Sequence, residues 1–433
     1  MNLTKSSTLY ENIRKFVPGG VHSNSRFRQP HPIYFKEANG AYIKDVDDNS
    51  YLDIIMGNGA VILGHNNEEF NERMQERLKN GIITGLETEL SIETAKKFLS
   101  FVTTADQVKF TNTGTEAVMH AMLIARTYTG KQDIAVVEGA YNGWHDAVNV
   151  STWPNLDLAG DASEPNSLPG SLGLKEDVVK STVVIPFNDL DATERIFAAH
   201  HERLAALIIE PTMIDVGYIP GSKEYLQGLK DLCSKYEIIL VFDELLTGFR
   251  ESKGGLQVRH GVAPDLSTFG KAISNGYPMA AVAGKAEIMG KSAPGPGSCS
   301  FVGTYNGHQV SLAASLSFME LYEELNVLEV LDRRTDMLIK KFNDSAKEKN
   351  ISVMMRGKGG HFHWYFSDKA PNNYRDAAQS NKEAYQKFTH ALSEQGVYCS
   401  GNYLLHHAIS YAHKDAELEK LLKSMDEALR TLV

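Results

Sequence analysis

The clearest pattern in the chain is a series of short apolar, β-branched stretches separated by amphipathic helical ones. From about residue 67 onward, QVKFTN (107–112), DIAVVEGAY (133–141), STVVIPF (181–187), ALIIEP (206–211), IILVFDE (238–244) and STFGK (267–271) each read as a strand. Helices between such strands predict an α/β fold with a mostly parallel sheet. IILVF is apolar at consecutive positions, which suits a strand covered on both faces. A sheet of this kind carries its binding loops at the carboxyl ends of its strands.

The flanks follow other periods. Residues 1 to about 45 mix polar, Pro and Gly positions, and GAYIKDVDDNSYLDI (40–54) predicts two short strands around an Asp-rich turn. After about residue 310 come two helical patterns, a strand-like MMRGKGGHFHWYF (354–366), a helix near 380–395, the run GVYCS and a charged final helix. These predict a large domain over 61–310 and a smaller α+β domain assembled from 1–60 and 311–433. Residues 151–176, rich in Pro, Gly, Ser and Asp, show no sustained period and are expected to form a lid or a disordered insert.

Composition narrows the function classes. At 433 residues the chain is long enough for two or three domains around a large core. A net charge of -10 disfavours nucleic acid and anionic membrane as partners and leaves small molecules. Cys233, Cys299 and Cys399 are odd in number and too far apart for zinc-ligand spacing, which fits a reducing cytoplasm. The N-terminal stretch lacks the apolar core of a secretory signal, and no run approaches the ~20 apolar residues that span a bilayer, so neither export nor membrane insertion is expected.

Chemistry concentrates at strand ends. In KFTNTGTEAV a strand runs through Gly114-Thr115 into a long helix, whose first amides and positive end suit a phosphate as well as a simple N-cap. Glu210 and Asp243 end two apolar strands; either could cap a helix, but a carboxylate such as Asp243 beside a pyridine nitrogen would keep that nitrogen protonated. Lys271, between a strand and a Gly-containing turn, would be an ordinary surface lysine unless enclosed, where a lowered pKa lets its amine form an imine. Tyr141 in EGAYNGWHD could stack on a planar ring or simply fill core.

Together and in this order, these segments resemble the class-III aminotransferases that depend on pyridoxal 5'-phosphate (PLP), a fold-type I family, over nearly the whole chain. TNTGTEA resembles the family's phosphate-binding segment, EGAYNGWHD its ring-covering segment, IIEP and FDELLTGFR its strand-end carboxylates, and STFGK its lysine segment. The resemblance implies a large domain with a mostly parallel seven-stranded sheet and a smaller α+β domain. It implies that Lys271 holds PLP as a Schiff base, Asp243 meets the pyridine nitrogen, Tyr141 covers the ring, and Gly114, Thr115 and Glu210 complete the cofactor site. GTYNGHQV resembles the segment that reaches the cofactor phosphate of a neighbouring subunit, which gives Thr304 that role and implies a homodimer with a shared site. Within the family the likeness is to glutamate-1-semialdehyde aminomutase-like members, through PGGVHSNSRF, ILGH, TGFR and AISYAH; Asn142, Asn58 and Leu405 depart from their pattern.

Those departures surround the substrate. Ser23 and Arg26 match positions that hold a substrate carboxylate, and a guanidinium grips a carboxylate, phosphate or phosphonate alike. His361 and His363 alternate in GGHFHWYF, and His406 and His407 lie where the acidic residue is lost. A metal site is not expected, since no closed ligand set is identifiable. The expected activity is amino transfer on the primary amine of a small anionic amino compound through a carbanion. The alternatives are an ammonia-lyase acting on an aminophosphonate such as 1-hydroxy-2-aminoethylphosphonate, an aminomutase, and a non-catalytic binding protein on the same fold.

Overall fold

A computed structural model describes residues 2–79, 81–82 and 85–432 of the chain. Strands β1 (Gln107–Thr111), β2 (Asp133–Val137), β3 (Thr182–Ile185), β4 (Leu204–Ile209), β5 (Ile239–Asp243), β6 (Leu266–Phe269) and β7 (Ala280–Gly284) form one sheet in the order β1-β7-β6-β5-β4-β2-β3. The β3–β2, β2–β4, β4–β5 and β5–β6 pairs are parallel. Only β7 runs against its neighbours β6 and β1. The six strands legible in the sequence are all present. β7 is the addition: Ala-Ala-Val-Ala-Gly carries one β-branched residue and little apolar bulk, so it leaves no strand signal.

Every residue of β2, β4 and β5 is buried, as their unbroken apolar runs require. Side chains alternate between two layers. Ala206, Ile208 and Val241 pack with Ala117, Val118 and Ala121 of the helix Gly114–Thr129. Leu207, Ile209, Leu240 and Phe242 pack with Phe197, Leu226 and Leu229 of the helices Leu190–His200 and Lys223–Lys235. At roughly 1.5–3 kcal/mol for each large apolar side chain removed from water, both layers are needed to offset the ordering of the chain.

The flanking segments meet each other. Phe35–Asn39, Tyr42–Asp45 and Ser50–Asp53 form an antiparallel meander, and Val397–Tyr398 adds in parallel to its last strand. The expected Asp-rich turn is closed by Asp45, whose Oδ1 accepts from the amides of Asp47 at 2.9 Å and Asn49 at 2.8 Å. The run at 354–366 is a hairpin rather than one strand. Gly359 (φ 60°) and Gly360 (φ 92°) turn the chain between Met354–Lys358 and His361–Tyr365, and His407–Ala408 pairs with the latter. The fully buried Arg250 ties these parts to the large sheet: it donates to Gly59 O at 2.9 and 2.7 Å, to Gly359 O at 3.3 Å and to Ile409 O at 3.1 Å.

Residues 151–176 are not a disordered insert. Ser151 Oγ donates to Asn166 O at 2.8 Å and accepts from the Leu168 amide at 3.0 Å, and Arg375 donates to the carbonyls of Gly160 and Asp161. Local hydrogen bonds replace the periodic pattern the sequence lacks. Among the described residues, no helix is long and apolar enough to cross a membrane.

Candidate active site

At the carboxyl ends of β1, β4, β5 and β6 lies a cavity of about 210 Å³ lined by Thr113, Gly114, Thr115, Tyr141, Asn142, Gly143, Glu210, Asp215, Asp243, Leu245, Leu246 and Lys271. Its position follows from the topology, because parallel strands deliver their loops to one edge. Six of the expected site residues meet here: Gly114, Thr115, Tyr141, Glu210, Asp243 and Lys271.

Each wall has a local cause. Thr113 caps the helix Gly114–Thr129, its Oγ1 accepting from the Glu116 amide at 3.2 Å, so the Gly114 and Thr115 amides remain the helix's leading donors toward the cavity. Gly143 (φ 109°) closes over this turn. A Cβ there would stand 3.0 Å from Thr115 Oγ1, so only glycine allows the close approach.

Asp243, the last residue of β5, is held on both oxygens. Asn142 Nδ2 donates to Oδ2 at 2.8 Å, while the Leu245 amide at 3.1 Å and Thr268 Oγ1 at 3.3 Å donate to Oδ1. Burial raises its pKa, and these donors together with the Lys271 charge only partly oppose the rise. A buried carboxylate in this state gains most from a cationic partner. Lys271 follows β6 with φ 48°, a left-handed conformation that costs a non-glycine residue about 1–3 kcal/mol. The sheet's loops hold it there.

Glu210 accepts from the Tyr141 amide at 3.4 Å and the Ile214 amide at 3.0 Å. Burial, then the Asp215 and Asp243 charges, push its pKa well above the usual carboxylate range. Asp215 goes the other way. Burial would raise it, but contact with His406 and the charge of Lys271 outweigh that and hold it low, so Asp215 is the ionised member of the pair. Its Oδ1 lies 3.2 Å from His406 Nδ1.

Sequence reasoning missed three contributors. Asp215 stands alone in a loop five residues beyond Glu210, with only its place after a strand end to mark it. Asn142 reads in the sequence only as a departure from the family's pattern, and in the fold it supports Asp243. Trp153 stacks on Tyr141 (centroids 6.0 Å apart, planes at 16°), and its Nε1 donates to Asp215 O at 3.0 Å, so residues 151–176 supply a wall behind the cavity.

The other expected residues lie elsewhere. Ser23 is half-buried with its Oγ 2.9 Å from Ser25 Oγ, and Arg26 is exposed; neither lines the cavity. The neighbouring Arg28 instead donates to Cys399 O at 2.7 Å and covers the Tyr398 ring at 4.3 Å. Thr304 is exposed in a turn, near which Asn112 Nδ2 donates to Asn306 Oδ1 at 3.2 Å. His361, His363, His406 and His407 are buried together, and among the described residues no group of His, Cys, Asp and Glu is arranged to hold a metal.

The pattern of the class-III aminotransferases matches residues 23–429. A glutamate-1-semialdehyde 2,1-aminomutase of Archaeoglobus fulgidus is 36% identical over 429 residues, covering 99% of this chain and 100% of that protein. Among solved structures, an omega-transaminase from Sphaerobacter thermophilus superposes with a TM-score of 0.94 at 32% identity, covering 98% of this chain and 97% of that one. A transaminase with PLP bound gives 0.90 at 27% identity, covering 100% and 98%.

The donor set suits PLP. An anion-binding helix start, a buried carboxylate short of a cation, a stacked aromatic and an enclosed lysine answer a phosphate, a basic ring nitrogen, a planar face and an aldehyde. Buried Asn142 Oδ1 also has no partner among the described residues, leaving one more acceptor at the same edge. The chain belongs to the class-III aminotransferases, enzymes of fold type I that work with PLP.

Proposed function

We propose that this enzyme acts on the primary amine of a small anionic amino compound, with amino transfer as its reaction. The observation that carries the reading is the meeting of Lys271 and Asp243 in one cavity with an anion-binding helix start. PLP, when bound, condenses with a primary amine and draws the electrons of a broken bond into its ring. The chain's residues serve that chemistry. Lys271 carries the cofactor through its amine and, once displaced by substrate, takes and returns the proton at the carbon bearing the nitrogen. Asp243, oriented by Asn142 and Thr268, keeps the ring nitrogen protonated. Gly114 and Thr115 hold the phosphate, Tyr141 covers the ring with Trp153 behind it, and Glu210 closes the cavity floor.

Thr304, exposed here, is assigned to the phosphate of a partner subunit's site, which makes the working unit a homodimer. Exposed Arg26, with Ser23, is assigned the first contact with the substrate's anionic group. We further assign residues 1–60 and 311–433 to one smaller domain, on the strength of their shared sheet, and 61–310 to the cofactor-binding domain. Three unpaired cysteines suit a reducing cytoplasm.

A panel of amines, amino acids and aminophosphonates, assayed with and without pyruvate or 2-oxoglutarate, tests the reading through cofactor absorbance and ammonia. Turnover that needs the keto acid supports amino transfer. Ammonia released from 1-hydroxy-2-aminoethylphosphonate without an acceptor would replace it with the lyase reading. The aminomutase names of relatives near 35% identity favour a second reading, return of the amine to a neighbouring carbon of the same molecule. Conversion of glutamate-1-semialdehyde with neither acceptor nor ammonia would establish that one.

A further inference from the structure

Glu210, Asp215 and Asp243 all line the cavity, but only one of these carboxyl groups is left open to it. Asp243 accepts from Asn142, Leu245 and Thr268 and awaits a ring nitrogen. Glu210 accepts from the amides of Tyr141 and Ile214 and is held toward its protonated form. Asp215 differs from both. No described residue donates to its Oδ2, and its Oδ1 has only the approach of His406 Nδ1 at 3.2 Å. Its side chain keeps 13% of its surface, on the cavity it lines.

The backbone holds this carboxylate in place. Thr212–Met213 and Ile219–Pro220 pair antiparallel, so Asp215 lies in the turn that connects them. Trp153 Nε1 donates to Asp215 O at 3.0 Å, while Tyr365 Oη donates to Val216 O at 2.9 Å and accepts from the Tyr218 amide at 2.6 Å. Gly217 (φ 100°) fits so closely that a Cβ on it would stand 2.2 Å from Tyr365 Oη. An acceptor fixed this firmly and facing open space needs little ordering when a donor arrives.

The cavity does not supply that donor. Lys271 is the one cation among the described lining residues, and its amine is committed to the cofactor. Burial would raise the pKa of Asp215, yet the His406 contact and the Lys271 charge keep it low, so the group is an anion. An ionised carboxylate repels a second anion and favours an N–H or O–H. In a cavity of about 210 Å³, such a donor belongs close to the nitrogen that takes the lysine's place.

We propose that Asp215 is a specificity-determining residue, accepting a hydrogen bond from a hydroxyl or ammonium group on the carbon next to the one that bears the reacting amine. The anionic group of the substrate then points away from it. This rests on the reading that the substrate is a small anionic amine, and it narrows that class to compounds with a second donor.

Single-turnover reaction of the PLP-loaded enzyme, followed by cofactor absorbance without an acceptor, tests the assignment. The amines are 3-aminopropanoate with its 2-hydroxy and 2-amino derivatives, and 2-aminoethylphosphonate with its 1-hydroxy derivative. The proteins are wild type, Asp215→Ala and the isosteric Asp215→Asn, with melting temperature recorded for each. Wild type should favour a donor-bearing derivative over its parent by about tenfold or more in specificity constant, because a site built to bond a donor rejects the analogue that lacks it. That ratio should shrink to near one in Asp215→Ala and to an intermediate value in Asp215→Asn, whose amide oxygen still accepts. Whether the hydroxy or the amino derivative leads distinguishes the two donors. An equal fall for parent and derivative, with the ratio kept, would make Asp215 a structural residue and overturn the proposal. So would a wild type that reacts with parents and derivatives alike, and either result leaves the anionic-substrate reading standing. Failure of wild type to react with any of these amines would overturn both.

Discussion

The sheet side of the cavity and the histidine layer behind Asp215 are finished to different degrees. On the sheet side, each oxygen of Asp243 has at least one donor and each oxygen of Glu210 has an amide. In the histidine layer, neither nitrogen of His361 and neither nitrogen of His406 has a hydrogen-bond partner among the described residues, although His406 Nδ1 lies 3.2 Å from Asp215 Oδ1. Burial is comparable, since Asp243 and Glu210 are 4% exposed and His361 0%. The difference therefore lies in hydrogen bonding and not in access to water. A group that stays bound through many turnovers is best met by side chains already locked in place.

Four variants can break or sharpen that contrast. Lys271→Ala should lower turnover by about 10³-fold or more, and borohydride should fix the cofactor to wild type but not to the variant, read by mass. Turnover retained in this variant would remove the sheet side's claim to the chemistry. Asn142→Ala takes one donor from Asp243; a hydrogen bond to a charged group is worth about 1.5–3 kcal/mol, so kcat should fall roughly 10- to 100-fold with a shifted cofactor spectrum. If instead only KM rises, the sheet side is less specialised for the cofactor than its bonds suggest.

Gly59→Ala probes the histidine layer. The added methyl meets His361 Nε2 at a backbone of φ 81°, which should cost about 1–3 kcal/mol of stability, read as a lowered Tm, while leaving the cofactor spectrum intact. The smallest effect is expected at Glu251, outside both walls. Burial raises its pKa from 4.5 to about 7. Folding therefore favours its protonated form, and the stability this contributes is full below about pH 4.5 and lost as pH rises through about 7. Glu251→Gln should flatten the fall of Tm over that range. An unchanged pH profile would assign the fall to Glu244, which burial also raises to about 7.

The sheet was legible because a strand covered on both faces needs an unbroken apolar run, and β2, β4 and β5 consist of such runs. β7 was not, because its alanines fit a crowded position through small size and leave no periodic trace. Gly114, Thr115, Tyr141, Glu210, Asp243 and Lys271 could be read at strand ends, where the chain must turn toward the binding edge. Asp215 and Trp153 sit in irregular segments, and their place depends on contacts between parts of the chain far apart in sequence. Trp153 meets Asp215 across 62 positions, and nothing local announces that. The histidine alternation in GGHFHWYF was visible, but the packing of His361 against Gly59 and His406 exists only in the folded chain.

Arg250 has a consequence for how the enzyme comes into being. Its donors end on residues 59, 359 and 409 of a 433-residue chain. During synthesis, the lysine and its supporting loops leave the ribosome long before the last of those carbonyls exists. The nascent protein can lay down its sheet early, yet this tie between distant segments cannot form until residue 409 has been made. A chain that stops before residue 409 lacks one acceptor of the buried guanidinium and should lose stability, read as a lowered Tm.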